Sequence, residues 1–287
     1  MTSNGALQRV KHLFRAHKAG HTGSLDPLAT GVLPLCLGEA TKVSQFLLDS
    51  DKTYRVTVKL GETTNTGDAE GEVLESCADI PASMELVRDT LQQFLGVIDQ
   101  VPPMYSALKQ NGVPLYKLAR QGKQVERASR KVEIYSLDLL NFEGNELEIE
   151  VDCSKGTYIR TLAEDLGNKL GCGGHVIALR RTRSAKFSES DCVTLGELEQ
   201  LQQSCSKDDY SLLDRLLVPM DRAIEFLPAV DLPDVSAGWV SQGQPVLARH
   251  LPEEGLVRLY NAGRFIGIGS ILDDGRVAPR RMIVDQV

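Results

Sequence analysis

Two runs of alternating residues, KVEIYSLDLLNF and NELEIEVDC, follow one another between positions 131 and 153 with a turn at Glu143-Gly144-Asn145. Alternation puts apolar side chains on one face of an extended chain and polar ones on the other. Two such runs joined by so short a turn close as an antiparallel hairpin. KTYRVTVKLG (52–61) carries the same period, with Tyr54, Val56, Val58 and Leu60 on one face and Arg55, Thr57 and Lys59 on the other. HVIALRRTRSAKF (175–187) reads as a further strand. Helical periods are interleaved: SMELVRDTLQQFLG (83–96), TLGELEQLQQ opened by Thr194, and SKGTYIRTLAEDLGNKLG, where a strand end turns into a helix closed by Gly171. No GxGxxG or Walker fingerprint accompanies them, so the class is α/β mixed (α+β) and a Rossmann fold is disfavoured.

The flanking segments are read in the same way. Ser3 or Asn4 caps a first helix striped by Leu7, Val10, Leu13 and Phe14 that ends before Gly20. VLPLCLG (32–38) reads as a buried strand, 39–48 as helical, and TTNTGDAEGEV as a polar turn region. Pro102 and Pro103 open a basic helix-and-loop segment reaching Lys131. Beyond about residue 228 the texture becomes short strands with Gly and Asp-Gly turns, typical of a small β-barrel. Domains are therefore expected at 1–227 and 228–287, with a linker near Pro228.

Charge is unevenly spread over the 287 residues, whose formal net charge is −7. Residues 109–131 hold seven Lys/Arg against Glu126 alone, 9–18 hold four and no acid, and 175–186 hold four, Arg180, Arg181, Arg183 and Lys186. The stretches 62–100 and 189–234 each net −8. A globally acidic chain binds a polyanion if folding gathers its basic stretches on one face. Separate solvated surfaces are the alternative. The six cysteines form no C-x-x-C pair and read as reduced thiols of a cytosolic protein. No apolar run approaches the roughly 18 residues of a membrane span.

One short stretch concentrates the chemistry. GHTGSLDPLATGVLP (20–34) holds a single carboxylate, Asp26, among Gly23, Pro27, Gly31 and Pro34. An Asx turn or helix cap would account for a loop aspartate. A backbone fixed by Gly and Pro on both sides is instead what a rigidly placed reactive group requires. A lone acid does not suit an inverting glycosidase or an aspartic protease, which need two carboxylates. It suits a nucleophile, because a carboxylate is ionised at neutral pH without a helper base. Tyr158 and Arg160, two apart, share a face if they sit at a strand end, and Arg160 would hold Asp26 ionised if it reached it. His21 is a candidate base or a packing histidine, and Tyr54 a core tyrosine or a platform for a stacked base. Cys172 and His175 have a C-x-x-H spacing that could begin a zinc site, but no partner pair follows.

In their order and spacing, AGHTGSLDPLATGVLPLCLGEATK, DKTYRVTVKLGETTNTGDAEG, PPMYSALKQNGVPLYKLARQG, CSKGTYIRTLAEDLG and GGHVIALRRTRS resemble the TruB family of bacterial tRNA pseudouridine synthases. GRFIGIGSILDDGRVAPRR resembles the PUA-type RNA-binding domain of its longer members. The resemblance spans nearly the whole chain, and its GHTGxLDPxATG block is highly specific. It implies a catalytic domain with a central mixed or antiparallel sheet, a basic RNA-gripping insertion at about 102–131, and a PUA-like barrel. It implies isomerisation of uridine 55 in the T loop of tRNA to pseudouridine by base flipping, without cofactor or metal. Asp26 falls on the family's catalytic aspartate, Tyr54 on the tyrosine that stacks on the target base, and Arg160 on the arginine paired with that aspartate. Tyr158 falls on a nearby substrate contact, His21 on the histidine that meets the RNA where bases are flipped, and Leu179 on a wall of the uracil pocket. The family opens with a strand and a Lys-Pro-x-Gly turn ahead of the first helix. This chain starts where that segment would have ended, a departure that truncation or a misassigned start would explain and that bears on one sheet edge and the support behind the loop, not on Asp26 itself.

The expected protein is a cytoplasmic monomer that acts on the T arm of tRNA, with no membrane and no protein partner. Two other readings stay open at this level: a tRNA-binding and folding module for which catalysis is dispensable, and a metallohydrolase using Cys172 and His175.

Overall fold

A computed structural model describes residues 1–81, 83–206 and 209–284, which gather into two compact units. One comprises Met1–Ser3, Gly23–Leu33 and Asp49–Cys192, the other Asn4–Thr22, Pro34–Leu48 and Val193–Val287.

The first unit is built on a seven-stranded sheet. Its strands run in the order Phe187–Ser188, Gly174–Ser184, Lys52–Leu60, Glu146–Cys153, Arg130–Glu143, Gly96–Gln100, with Thr30–Gly31 beside Gly174–Ser184. The Thr30–Gly31 pairing is parallel, as is an isolated bridge of Asp68 to Val176, while the other strand pairs are antiparallel, so the sheet is mixed and the α+β class holds. The alternation of 52–60 becomes a buried face: Val56 and Val58 lie opposite Ile149 and Leu147, and all four are buried. Helix Ile159–Lys169 lays Leu162, Ala163 and Leu166 on that face and completes the core. Each of these Val, Ile and Leu side chains contributes about 1.5–3 kcal/mol of burial.

Several expectations are corrected here. The strand through 153 stops at Cys153, and Gly156 with φ +81° turns the chain before the helix begins at Ile159. Tyr158 is therefore the residue before the first helical turn and Arg160 lies within that turn, rather than the two sharing a strand face. The polar segment after residue 61 is a small hairpin of Glu62–Thr64 with Val73–Ser76, paired through backbone bonds its polar composition did not advertise. Ser3 caps nothing: the helix already includes it, and its Oγ accepts a hydrogen bond from the Leu25 N–H at 2.8 Å.

Gly31 is required by its place in the sheet. Its φ is +101°, and a Cβ there would lie 2.2 Å from the Arg181 carbonyl oxygen. Gly31→Ala is expected to lose about 3 kcal/mol or more of stability, combining backbone strain with a backbone clash. Chemical denaturation followed by circular dichroism would measure it, and a loss below about 1 kcal/mol would show that the loop can relax.

The second unit contains helix Ser3–Leu13 from Asn4 onward, the helix Leu195–Ser204, and the C-terminal strands. Val10 packs with Leu198 and Leu213. The first helix ends at Leu13, short of Gly20, because Arg15 takes a left-handed φ of +46°. Of 32–38 only Leu35–Leu37 is a strand, paired with Ala19–His21. Residues 39–48 divide into a 3-10 turn, Gly38–Lys42, and a short helix, Ser44–Leu48. Thr194 opens its helix with a reciprocal capping box: its Oγ1 accepts from the Glu197 N–H, and the Glu197 carboxylate accepts from the Thr194 N–H. At the C-terminal end, five strands in the order Ala229–Asp231, Leu256–Asn261, Arg264–Ile271, Arg276–Met282, Val246–Leu247 curl into a half-barrel. Asp234–Ser241, read as strand-like, is a helix that follows Pro233 and buries Ala237 and Val240.

Candidate active site

The loop Gly23–Leu33 lies against the end of the strand Gly174–Ser184, and one arginine holds both of its arms. Arg181, only 2% exposed, donates from Nε to the Val32 carbonyl at 2.7 Å and from Nη2 to the Gly23 carbonyl at 3.2 Å. Its own carbonyl accepts from the Val32 N–H at 2.8 Å. Between the arms, the Ala29 N–H bonds the Asp26 carbonyl, a tight turn that fixes the backbone of Asp26. Leu28 and Ala29 pack onto the same core as Tyr54 and Leu179.

Asp26 and Arg160 meet. Arg160, whose side chain is 6% exposed, approaches the carboxylate with a two-nitrogen fork, Nε to Oδ2 at 2.8 Å and Nη2 to Oδ1 at 3.1 Å. The same guanidinium reaches the buried Asp68 at 3.4 Å and donates to the carbonyls of Thr66 at 2.9 Å and Tyr105 at 2.8 Å. Asp68 is held in turn by the Thr66 hydroxyl at 2.6 Å and the Glu70 N–H at 3.1 Å. One cation thus serves two carboxylates.

That sharing corrects the expected electrostatics. Burial raises the pKa of Asp26 above its ordinary value and is the largest influence; Arg160 pulls it down and Asp68 pushes it up again. The guanidinium does not win, because it is split between two acids and the carboxylate has lost much of its water. About 35% of the Asp26 side chain remains accessible, so the carboxylate is gripped yet still open to a reactant.

Tyr54 lies directly cross-strand from Arg181. Burial raises its hydroxyl pKa, while the Arg181 charge draws it back. Tyr158 stands one residue before the helix that carries Arg160, its hydroxyl beside Ser106 and its pKa raised by burial. Leu179, 7% exposed, is opposite Val56. Asp26, Tyr54, Tyr158, Arg160 and Leu179 all belong to the first unit. His21 belongs to the second, on the strand Ala19–His21, with a buried Nδ1 that has no partner among the described residues. Cys172 and His175 turn to backbone: Cys172 Sγ lies 3.4 Å from the Gly173 carbonyl and His175 Nδ1 3.1 Å from the Glu62 carbonyl. Among the described residues no group of three or more metal-ligating side chains occurs.

Sequence reasoning missed Asp68, Arg181 and Gln100. Arg181 carried a signal: it is two residues from Leu179 on a strand, and so is inward-facing, but it was counted among surface cations. Asp68 gave none, standing among the acids of a polar turn region.

A carboxylate on a pinned loop, held by a buried arginine and partly open, can when ionised attack or deprotonate a sugar carbon. Comparison with known proteins shows the family. In three-dimensional structure the chain is similar to the Cbf5–Nop10–Gar1 complex, at 27% identity and a TM-score of 0.74 over 100% of this chain and 81% of that one. It is similar also to the archaeal box H/ACA sRNP Nop10–Cbf5 complex, at 24% identity and the same TM-score, over 100% of this chain and 83% of that one. Residues 11–159 match the TruB family pseudouridylate synthase N-terminal domain, which puts the chain among the pseudouridylate synthases. Residues 160–225 match the tRNA pseudouridylate synthase B C-terminal domain and 228–283 the pseudouridine synthase II TruB C-terminal domain. Curated relatives include the tRNA pseudouridine synthases B of Stutzerimonas stutzeri, 56% identical over 98% of this chain and 92% of the relative, and Coxiella burnetii, 54% identical over 99% and 91%. The chain belongs to the TruB family.

Proposed function

We propose that this chain isomerises uridine 55 in the T loop of tRNA to pseudouridine, with Asp26 as the reactive group. The observation that carries the reading is the single carboxylate on a pinned loop, gripped in a fork by a buried arginine and still partly open. The target base leaves its stack, because a stacked nucleotide cannot present its glycosidic carbon to a side chain. Asp26 then either attacks C1′ or removes a proton from C2′, and in both routes the C1′–N1 bond breaks. The freed uracil turns and C1′ bonds to C5, as the Asp26–C1′ bond breaks on the first route or as Asp26 returns its proton to C2′ on the second; the proton lost from C5 is balanced by one gained at N1. Tyr54 stacks on the base and is placed to take the C5 proton; Leu179 lines the uracil pocket, Tyr158 contacts the substrate, and His21 meets the RNA. No water needs activation in this sequence, which is why one acid suffices.

Residues 102–131 serve as the RNA-gripping insertion and 228–287 as a PUA-like RNA-binding domain, in an enzyme that acts as a cytoplasmic monomer. Among the described residues no helix is long and apolar enough to cross a membrane. The test is tritium release from tRNA carrying 5-tritiated uridine, with carbodiimide mapping of the product. Release at position 55 is the expected result. Annealing of unfolded tRNA without any release would favour the folding-module reading instead.

Contacts to phosphate by the basic stretches make binding salt-dependent. For three or four contacts, raising salt from 50 to 200 mM is expected to weaken tRNA binding roughly twentyfold to a hundredfold. Filter binding across a salt series measures it; a flat series would remove the basic stretches from the interface.

A further inference from the structure

The basic insertion leaves the sheet at Gln100 and returns at Arg130, and these two residues are direct cross-strand partners. Gln100 is 2% exposed and spends both ends of its amide on one residue. Its Oε1 accepts from the Tyr158 N–H at 2.7 Å and its Nε2 donates to the Tyr158 carbonyl at 3.0 Å. The amide satisfies both in this orientation, since one backbone group can only donate and the other can only accept. Tyr158 immediately precedes the helical turn that carries Arg160.

The rest of the insertion's root holds the same turn. The Thr161 hydroxyl donates to the Val101 carbonyl at 3.4 Å, and Arg160 Nη2 donates to the Tyr105 carbonyl at 2.8 Å. Arg127, near the returning end, donates to the Pro102 carbonyl at 2.9 Å. The neck of the insertion and the start of the Arg160 helix are thereby one fastened piece.

We propose that Gln100 is a positioning residue for the reaction: its amide fixes the turn that aims Arg160 at Asp26, and ties that aim to the root of the basic insertion. The proposal rests on the reading of Asp26 as the reactive group and of the insertion as the RNA grip. A displacement of the guanidinium by 1 Å would unseat the fork on Asp26, and errors of that size cost up to about a hundredfold in rate.

Gln100→Glu is the sharpest test because it is isosteric. The ionised carboxylate sets an oxygen against the Tyr158 carbonyl, whereas the protonated form supplies an O–H donor in the amide's place. Burial raises the pKa of the introduced carboxyl, which brings this change into an accessible pH range. The single-turnover rate at saturating tRNA is expected to fall about tenfold or more at pH 8. The ratio of variant to parent rate should then rise as pH is lowered to 6, with tRNA affinity kept within about threefold because the phosphate contacts are untouched.

The second readout needs no catalysis. Carbon-13 NMR of the Asp26 carboxyl should titrate higher in Gln100→Ala, or in Gln100→Glu at high pH, than in the parent as Arg160 loses its aim. A variant-to-parent ratio flat with pH, together with an unchanged Asp26 titration, would overturn the proposal and leave Gln100 a packing residue. If Gln100→Ala does not fold, Gln100→Glu carries both readouts. A parent that releases no tritium defeats the functional reading alone, and the Asp26 titration still decides the placement of Arg160.

Discussion

Asp26→Asn is expected to abolish tritium release from 5-tritiated tRNA, by at least about a thousandfold, and at the same time to raise the melting temperature. The first effect follows because removing the group that makes or breaks bonds leaves only binding and orientation. The second follows from the raised pKa of Asp26. A carboxyl whose folded-state pKa lies above its unfolded value contributes stability below the unfolded pKa. That contribution is lost as pH rises through the folded pKa, so the ionised carboxylate weighs against the fold at neutral pH. The amide keeps the shape and an oxygen for the Arg160 fork, and carries no charge to desolvate. Arg160 retains Asp68 and two carbonyls. Differential scanning fluorimetry of the two proteins at pH 7.5 reads this directly; a variant that melts clearly below its parent would show that the Arg160 attraction outweighs burial. The same shift places the acid limb of the parent's activity above the range of an ordinary aspartate.

Arg160→Met brings the opposite change in stability. It removes the cation that Asp26 and Asp68 share, and leaves the buried Asp68 and the partly open Asp26 without it. Breaking a buried ion pair from one side costs about 3–5 kcal/mol, and two acids depend on this one. Asp26, already raised by burial and now without the Arg160 charge that pulls it down, titrates higher still, so the acid limb of activity moves to higher pH while the rate at its plateau falls about a hundredfold or more. Arg160→Lys restores charge but not the fork, because an ammonium is a point donor. It should recover stability better than rate. Equal recovery of both would show that charge alone, not the two-nitrogen geometry, is what the site needs.

What the chain disclosed before folding was local. The strand at 52–60, the hairpin at 130–153 and the capping box at Thr194 rest on periods and caps that span a few residues. The Asp26 loop was conspicuous for its glycines and prolines, and the resemblance supplied the order of the remaining motifs. Partnerships across long separations were hidden. Arg160 binds Tyr105, 55 residues away, and Gln100 binds Tyr158, 58 residues away. No window of sequence contains such a pair. The direction of the Asp26 shift was hidden for the same reason, since it rests first on how deeply folding buries the carboxyl and then on the charges of Arg160 and Asp68 that folding brings beside it. The helix Asp234–Ser241 was misread because the Gly and Asp-Gly turns that follow it favoured strands, while its start after Pro233 was itself a helical signal.

The floor of the site holds two guanidinium groups, Arg160 and Arg181, and two carboxylates, Asp26 and Asp68. With all four ionised, their charges cancel, in a chain whose formal net charge is −7. A locally neutral centre draws no ion atmosphere of its own and has nothing for dissolved salt to screen. Capture of the polyanion and turnover of the captured nucleotide should therefore separate cleanly along an ionic-strength axis, the first falling with salt and the second standing still.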